Sequence, residues 1–165
     1  METENDNDVM FQPLSHGLTL ADFRKITEQV NTWVAGHETP LFKHRKSLTD
    51  LAYSLYGFYK LGILKVYEHK DRVGVPAGIL MYSMDNFWWI EGCLLVEHLV
   101  LALTPDKGFG NFAISVMEQE AKAMGCVLIL SGASMVQKIP KVTSMYKRRG
   151  FVVYGADYLK EVNGQ

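Results

Sequence analysis

Cysteine is scarce in this sequence, and no apolar run is long. Cys93 and Cys126 are its only cysteines, and a pair this small makes no disulfide framework. We therefore expect both to be reduced core residues of a cytoplasmic protein. The longest apolar runs, residues 93–96 and 99–103, fall well short of the roughly 20 residues that a membrane span needs. No membrane partner is expected.

An excess of charge of either sign is also lacking. Lysine and arginine number 17 and aspartate and glutamate 18, so the net charge is -1 and nothing attracts nucleic acid to the chain as a whole. The histidines show no spacing with Cys, Asp or Glu typical of a metal site, and we expect no metal. Residues 1–10 are predicted to be a disordered acidic tail, because they are polar and lack the pattern of a secretory signal. Residues 11–165, rich enough in apolar residues for a sizeable core, are predicted to be one domain.

Two amphipathic helices are predicted first. Thr19, with Asp22 three residues later, is typical of a helix N-cap, and apolar residues then recur at helical spacing to about residue 36. A second apolar stripe ends at Gly62, a typical position for a helix stop. Both stripes are expected to face a core. They consist of Leu20, Phe23, Ile26, Val30 and Trp33, and of Leu48, Leu51, Leu55 and Phe58.

The period then changes to that of β-strands. Gly92 is expected to form a bulge or bend, and one of Trp88 and Trp89 should enter the core if their segment is a strand. Gly125 is a natural C-cap for the helix before it. Strands are predicted at residues 63–69, 77–83, 87–90, 94–103, 127–130 (fully buried) and 151–160, and helices at 111–124 and 141–148.

A glycine loop connects the longest apolar strand to a helix. Gly108 and Gly110 flank Phe109, and glycine allows backbone angles and close approaches that other residues prevent. The first turn of the following helix has unpaired N–H groups that favour a phosphate or pyrophosphate. A plain turn that caps a helix is the alternative.

This order of elements, with the glycine loop and a downstream Tyr146-x-x-x-Gly150-Phe151, resembles the GNAT superfamily of acetyl-CoA-dependent N-acetyltransferases. The resemblance implies an α/β (α+β) single-domain GNAT-like fold, with a bent mixed β-sheet flanked by helices. It also implies that acetyl-CoA is bound as co-substrate. The contacts implied for it are Leu101, Leu103, Lys107, Gly108, Phe109, Gly110 and Asn111.

The resemblance also implies two catalytic residues. Glu97 corresponds to a general base, and burial in so apolar a strand would raise its pKa towards the useful range. The alternative is a Glu97 that points to solvent at a strand edge or pairs with a lysine, and His98 is a rival base. Tyr146 corresponds to the residue that protonates the leaving thiolate, and a tyrosine that only packs on the final strands is the alternative.

The function implied is transfer of acetyl from acetyl-CoA to a primary amine by direct attack, on a small molecule or a protein. Neither cysteine has a recognisable His and acidic partner that would support an acyl-enzyme. A catalytically inactive binding or structural module is one alternative, since Pro105 stands where the family has a Gln or Arg. A toxin-like acetyltransferase acting on aminoacyl-tRNA is the other, suggested by the basic clusters 43–46 and 147–149. A monomer and a homodimer are both compatible with the sequence.

Overall fold

The computed structural model describes residues 10–35, 46–132 and 139–153 of the chain. Four α-helices and five β-strands lie in these ranges. The helices are α1 (Leu20–Ala35), α2 (Leu48–Lys60), α3 (Phe109–Ala123) and α4 (Ile139–Arg148). The strands are β1 (Phe11–Pro13), β2 (Leu64–His69), β3 (Pro76–Asp85), β4 (Leu94–Ala102) and β5 (Leu128–Leu130).

All five strands form one mixed sheet, in the order β1-β2-β3-β4-β5. Neighbours from β1 to β4 are antiparallel, whereas β4 and β5 run parallel and are joined through α3. A parallel pair needs such a crossover, because a tight turn can only reverse the chain. The expected mixed sheet flanked by helices is confirmed. Strand β1 was not predicted.

β4 contains a bulge at His98. Met81 of β3 lies opposite Leu99, but the next β3 residue lies opposite Glu97, so His98 is the extra residue. An extra residue bends a strand and reverses which side chains face which side of the sheet. Glu97 therefore shares a face with Leu95, whereas Leu99 lies on the opposite face.

Each face of the sheet has its own core. Helix α3 covers the face that carries Leu95, and helices α1 and α2 cover the other. The first core contains Phe11, Tyr67, Ala77, Leu80, Tyr82, Leu95, Phe109, Phe112, Ala113, Ile114, Met117 and Ala121. The second contains Leu18, Phe23, Ile26, Leu55, Leu64, Val66 and Ile79.

The start of α3 is fastened to the sheet by the ring of Phe109. This ring is 2% exposed and lies edge-on to Phe11, with 5.4 Å between the ring centroids. Gly78 of β3 makes the contact possible, since a Cβ atom there would lie 2.3 Å from Cζ of Phe109. A glycine inside a strand often marks such a close approach. The glycine loop is thereby fixed relative to β3.

The start of α1 and the end of α3 show the predicted capping residues. The Asp22 carboxylate accepts a hydrogen bond from the Thr19 N–H at 2.8 Å, and the Asp22 N–H donates to Thr19 Oγ1 at 3.3 Å. This reciprocal pair is a capping box. Gly125 follows α3 with φ +67°, as predicted for a helix C-cap.

The prediction of a strand at residues 87–90 was wrong. β3 runs on to Asp85, and residues 86–93 form an irregular turn before β4. Because no strand alternation applies there, neither tryptophan enters the core: Trp88 is 90% exposed and Trp89 is 53% exposed. Gly92 does form a bend, with φ +108°.

Three further expectations need correction. β5 is not fully buried, since Leu128 is 52% exposed. Residues 151–153 form no strand, and the rest of the strand predicted to residue 160 lies outside the described residues, as do residues 1–9 of the expected tail. Leu48 and Phe58 are exposed, because the side of α2 that packs on the second core carries Leu51, Leu55, Tyr56 and Tyr59 instead.

We expect Gly78→Ala to lower the free energy of unfolding by about 1–3 kcal/mol, because the new methyl group displaces the buried Phe109 ring. Gly57→Ala in α2 is the matched control: its Cβ meets nothing within 4 Å, so alanine should be neutral or stabilising there. Urea unfolding measures both. Equal stability of Gly78→Ala and the parent would contradict the proposed fastening of the loop.

Candidate functional site

Glu97 and Tyr146, which are 49 residues apart in the chain, meet in the structure. The Tyr146 hydroxyl donates a hydrogen bond to Glu97 Oε2 at 2.6 Å. Glu97 comes from β4 directly before the bulge, and Tyr146 comes from α4. The alternative of a Glu97 that faces only solvent is therefore wrong.

The pKa values of both groups are raised. Burial raises the pKa of Glu97 above its usual value, and the hydrogen bond from Tyr146 opposes this in part. Burial, followed by the charge of Glu97, raises the pKa of the Tyr146 hydroxyl. Tyr146 therefore holds its proton across the physiological range, while Glu97 moves towards the range in which a carboxylate is an effective base.

The Tyr146-x-x-x-Gly150-Phe151 motif has a clear structural explanation. Gly150, with φ +84°, follows the end of α4. The Gly150 N–H donates to the Lys147 carbonyl at 3.1 Å and the Phe151 N–H to the Tyr146 carbonyl at 3.1 Å, which is a Schellman motif. The Phe151 ring then packs edge-on against Tyr146, with 5.2 Å between centroids. The motif thus fixes the tyrosine ring.

Ser131, the residue after β5, belongs to the same site and was missed by sequence reasoning. Its hydroxyl lies beside the Glu97–Tyr146 pair and lowers the pKa of both groups. Its oxygen is buried, and within the described part of the chain no partner meets normal hydrogen-bond geometry. A single serine after a short strand carries no recognisable signal.

His98, the rival base, takes no part in this pair. Its ring is exposed, and Nε2 lies 2.7 Å from the hydroxyl oxygen of Ser83 on β3. Its neighbour Glu97 contacts Tyr146 instead. Of the two candidate bases, the structure brings only Glu97 to Tyr146.

The glycine loop presents an open helix start. Gly108 is the N-cap of α3 with φ +99°, and no side chain caps the helix among the described residues. The first helical bond runs from the Phe112 N–H to the Gly108 carbonyl, so the N–H groups before it have no acceptor within the helix. Lys107 is exposed beside them. Because its ring is buried, Phe109 offers only its backbone here.

Gly110 has a different role from Gly108. A Cβ atom at Gly110 would lie 3.0 Å from Sδ of Met145 on α4. The second glycine of the loop therefore allows α4 to pack closely on the start of α3. Since Tyr146 follows Met145, this contact helps to position the tyrosine.

Asp106 and Arg72 add a charged pair to the loop. The guanidinium of Arg72, from the turn between β2 and β3, contacts Asp106 Oδ2, and the Thr104 hydroxyl donates to the same oxygen at 2.5 Å. The Thr104 hydrogen bond and then Arg72 lower the pKa of Asp106. Sequence reasoning missed Arg72, because nothing local connects the two segments.

One edge of β4 is open within the described residues. β5 pairs with β4 only from Leu94 to Val96, although β4 runs on to Ala102. The Leu103 N–H donates to Ala77 at the β3 side, and backbone directions alternate along a strand. The polar groups of Val100 and Ala102 therefore point to the open edge. Leu101 and Leu103, the implied acetyl-CoA contacts in this segment, instead direct theirs to β3 and pack their side chains against the second core.

The basic cluster at residues 147–149 is not one surface. Arg149 turns inward, with Nη2 at 2.6 Å from Glu118 Oε2 and 2.7 Å from Ser115 Oγ on α3. Lys147 and Arg148 are exposed. Residues 43–45 of the other cluster lie outside the described residues.

The described ranges contain no cluster of three His, Cys, Asp or Glu side chains that would hold a metal ion. None of the described helices is long and apolar enough to span a bilayer.

The sequence matches no protein-family model, and a search of curated proteins finds no match. Solved structures, in contrast, superpose over most of the chain. A predicted acetyltransferase from Clostridium acetobutylicum, solved with acetyl-CoA, has a TM-score of 0.60 at 13% identity, over 93% of this chain and 94% of that one. A ribosomal-protein-alanine N-acetyltransferase from Brucella melitensis has a TM-score of 0.60 at 13% identity, over 88% and 96%.

A protein described as a transcriptional regulator from Bacillus halodurans has a TM-score of 0.63 at 13% identity, over 93% of this chain and 99% of that one. Many further neighbours are described as acetyltransferases. This chain has the GNAT acetyltransferase fold. The GNAT fold explains the resemblance found in the sequence, while identities this low leave the activity to be argued from the site.

We expect Glu97→Gln to be at least as stable as the parent at neutral pH. Burial raises the pKa of Glu97 above that in the unfolded chain, so ionisation opposes folding as the pH rises through the folded pKa. The gain should be on the order of 1 kcal/mol per unit of pKa shift and should vanish at acidic pH. Urea unfolding across pH tests this, with Glu28→Gln on the exposed face of α1 as control. A variant that is equally destabilised at every pH would mean that the carboxylate is needed for the fold.

Proposed function

We propose that this chain is a cytoplasmic N-acetyltransferase that transfers acetyl from acetyl-CoA to a primary amine by direct attack. The observation that carries the proposal is the hydrogen bond between Tyr146 and Glu97 in a partly buried site, with the pKa of both groups raised. A carboxylate suited to accept a proton thus lies against a hydroxyl that remains protonated. The acceptor is an amine-bearing small molecule or protein.

The residues present fit acetyl-CoA, which supplies an activated acetyl thioester when bound. The uncapped N–H groups at the start of α3, with Lys107 beside them, suit its pyrophosphate. The outward backbone groups of Val100 and Ala102 suit an extended arm that carries amide groups. Val100 and Ala102 lie on β4 between Glu97 and the glycine loop.

The 2.6 Å hydrogen bond also provides a return path for the proton. Glu97 accepts a proton from the substrate ammonium, which frees the amine to attack the acetyl carbon. Tyr146 donates its proton to the departing sulfur and recovers one from Glu97 across their hydrogen bond. The second nitrogen proton leaves to water. Both residues thus return to their starting protonation states after each turnover.

Direct attack fits the position of the cysteines. Cys93 and Cys126 precede β4 and β5 and contact each other, and the described hydrogen bonds connect neither to a histidine or a carboxylate. Without such a base, neither thiol is activated for attack on an acetyl thioester.

We expect Glu97→Gln and Tyr146→Phe each to lower kcat/KM at least about 100-fold, because each removes one half of the proton transfer. Tyr53→Phe on the exposed side of α2 is the control and should match the parent. The measurement is acetylation of a panel of primary amines, monitored through the release of the CoA thiol. Parent-like rates in both variants would overturn the assigned roles.

We expect the parent kcat/KM to rise with pH through a pKa above the ordinary glutamate value, since only ionised Glu97 accepts a proton. Tyr146 should cause no fall at moderately alkaline pH, because its raised pKa keeps the hydroxyl protonated. The acidic limb should be lost in Glu97→Gln. A profile unchanged by that substitution would assign the base elsewhere.

Gly108→Trp should abolish acetyl-CoA binding measured by calorimetry, because the indole blocks the approach to the helix start. Gly125→Trp is a matched control: Gly125 also has positive φ, meets nothing within 4 Å and lies at the other end of α3. It carries similar backbone strain and should bind like the parent. Failure of the parent to bind would favour an inactive module of the same fold.

A further inference from the structure

Two free thiols meet where β4 and β5 begin. Cys93 directly precedes β4, Cys126 lies two residues before β5, and their Sγ atoms are 2.9 Å apart. Both side chains are half-buried rather than enclosed in the core as expected. The thioether of Met84 on β3 lies 3.3 Å from the Cys126 sulfur. The acetyl-transfer chemistry uses none of these sulfur atoms.

The backbone, and not only the side chains, brings the cysteines together. The Val127 N–H donates to the Cys93 carbonyl at 2.9 Å, and the Cys126 N–H donates to the Ala121 carbonyl at 2.8 Å. Gly92 permits this approach, since its φ is +108° and a Cβ there would lie 2.8 Å from Cγ1 of Val127. The frame that carries both thiols is therefore held by the sheet and by the end of α3.

We propose that Cys93 and Cys126 form a redox modification site, at which a small disulfide oxidant such as oxidised glutathione creates an intramolecular disulfide between the starts of β4 and β5. A disulfide is about 2.05 Å long, so the sulfur atoms have to approach by only about 0.9 Å. Because backbone hydrogen bonds already hold both residues in place, the sulfur atoms need only a small movement to form the disulfide. In a reducing compartment both thiols remain free, and the disulfide forms when the glutathione pool is oxidised.

The exchange proceeds in two steps. Cys93 as thiolate attacks one sulfur of oxidised glutathione, forms a mixed disulfide and releases one glutathione thiolate, which takes up the proton. Cys126 as thiolate then attacks the Cys93 sulfur, forms the protein disulfide and releases the second glutathione. The protein loses two electrons and two protons, and the two glutathione molecules gain them.

The assignment of steps follows from the environment of Cys126. Burial and the neighbouring Cys93 thiol raise the pKa of Cys126 to about 11. Because the thiolate is the nucleophile, Cys126 attacks slowly in solution, and its nearness to Cys93 suits the second, intramolecular step. The rate of disulfide formation should rise with pH as the Cys126 thiolate becomes more populated.

The disulfide would join the starts of β4 and β5, the two strands that lead to the candidate site. Register pairs join β4 to β5 only from Leu94–Leu128 to Val96–Leu130, and these pairs lead directly to Glu97 and Ser131. A covalent link at the start of such a short pair restricts separation of the two strands. The inference does not depend on the proposed acetyltransferase activity.

The test is treatment of the purified full chain with oxidised glutathione at mildly alkaline pH. We expect the intact mass to fall by about 2 Da, both thiols to become unreactive after denaturation, and a reductant to reverse both changes. The melting temperature should rise by about 10 °C, because the bond closes a loop of more than thirty residues.

Two single substitutions complete the experiment. Cys126→Ser should stop at a stable glutathione adduct on Cys93, because no second thiol is present to release it. Cys93→Ser should react more slowly, since only the high-pKa thiol remains. A parent that keeps two reactive thiols, accumulates glutathione adducts or forms disulfide-linked dimers would overturn the proposal.

Discussion

The bulge at His98 is the constraint on which the rest of the site depends. Without the extra residue, Glu97, Leu99 and Leu101 would share one face of the sheet, and a carboxylate would compete with leucines for the same core. With it, Leu95 and Glu97 lie on the α3 face, whereas Leu99 and Leu101 lie on the α1–α2 face. The bulge thus keeps the Glu97 carboxylate apart from the leucines of the second core, and it bends β4 where its pairing with β5 has ended.

The position of α4 is the second requirement, since it supplies the other half of the pair. Met145 packs where Gly110 has no side chain, and Phe151 folds back onto Tyr146 through the Schellman motif. Arg149 then connects the end of α4 to Glu118 on α3. Two contacts with α3 and one with Phe151 therefore hold the Tyr146 hydroxyl against the Glu97 carboxylate. A buried carboxylate is costly unless it is paired, and this hydroxyl provides the pairing.

The parts of the fold that sequence predicted are those fixed by local physics. The stripe of α1, the capping box at Thr19 and the C-cap at Gly125 follow from periodicity and backbone preference alone. Glu97 was predicted because the family resemblance implied a base there and because a charge inside an apolar strand is unusual. β1 and Arg72 could not be predicted, because a three-residue strand and a distant ion pair exist only through tertiary contacts. The turn that contains Trp88 and Trp89 was wrongly predicted as a strand, because aromatic residues are typical of strands and here local preference is overridden by the chain reversal.

The raised pKa values of Glu97 and Tyr146 have a common origin in burial, and they support the proposed catalytic role over a purely structural one. Glu68 is an example of a structural carboxylate in this protein. It accepts hydrogen bonds from Gln12, Ser15 and the Gly74 N–H, and these bonds lower its pKa. Glu97 has instead a weak acid as its donor, and burial outweighs the hydrogen bond, so its pKa is raised. The arrangement at Glu68 increases the free energy of unfolding at neutral pH, because its hydrogen bonds stabilise the ionised carboxylate in the folded state. A carboxylate kept basic at some cost to the fold, beside a hydroxyl kept protonated, is the arrangement that proton transfer requires.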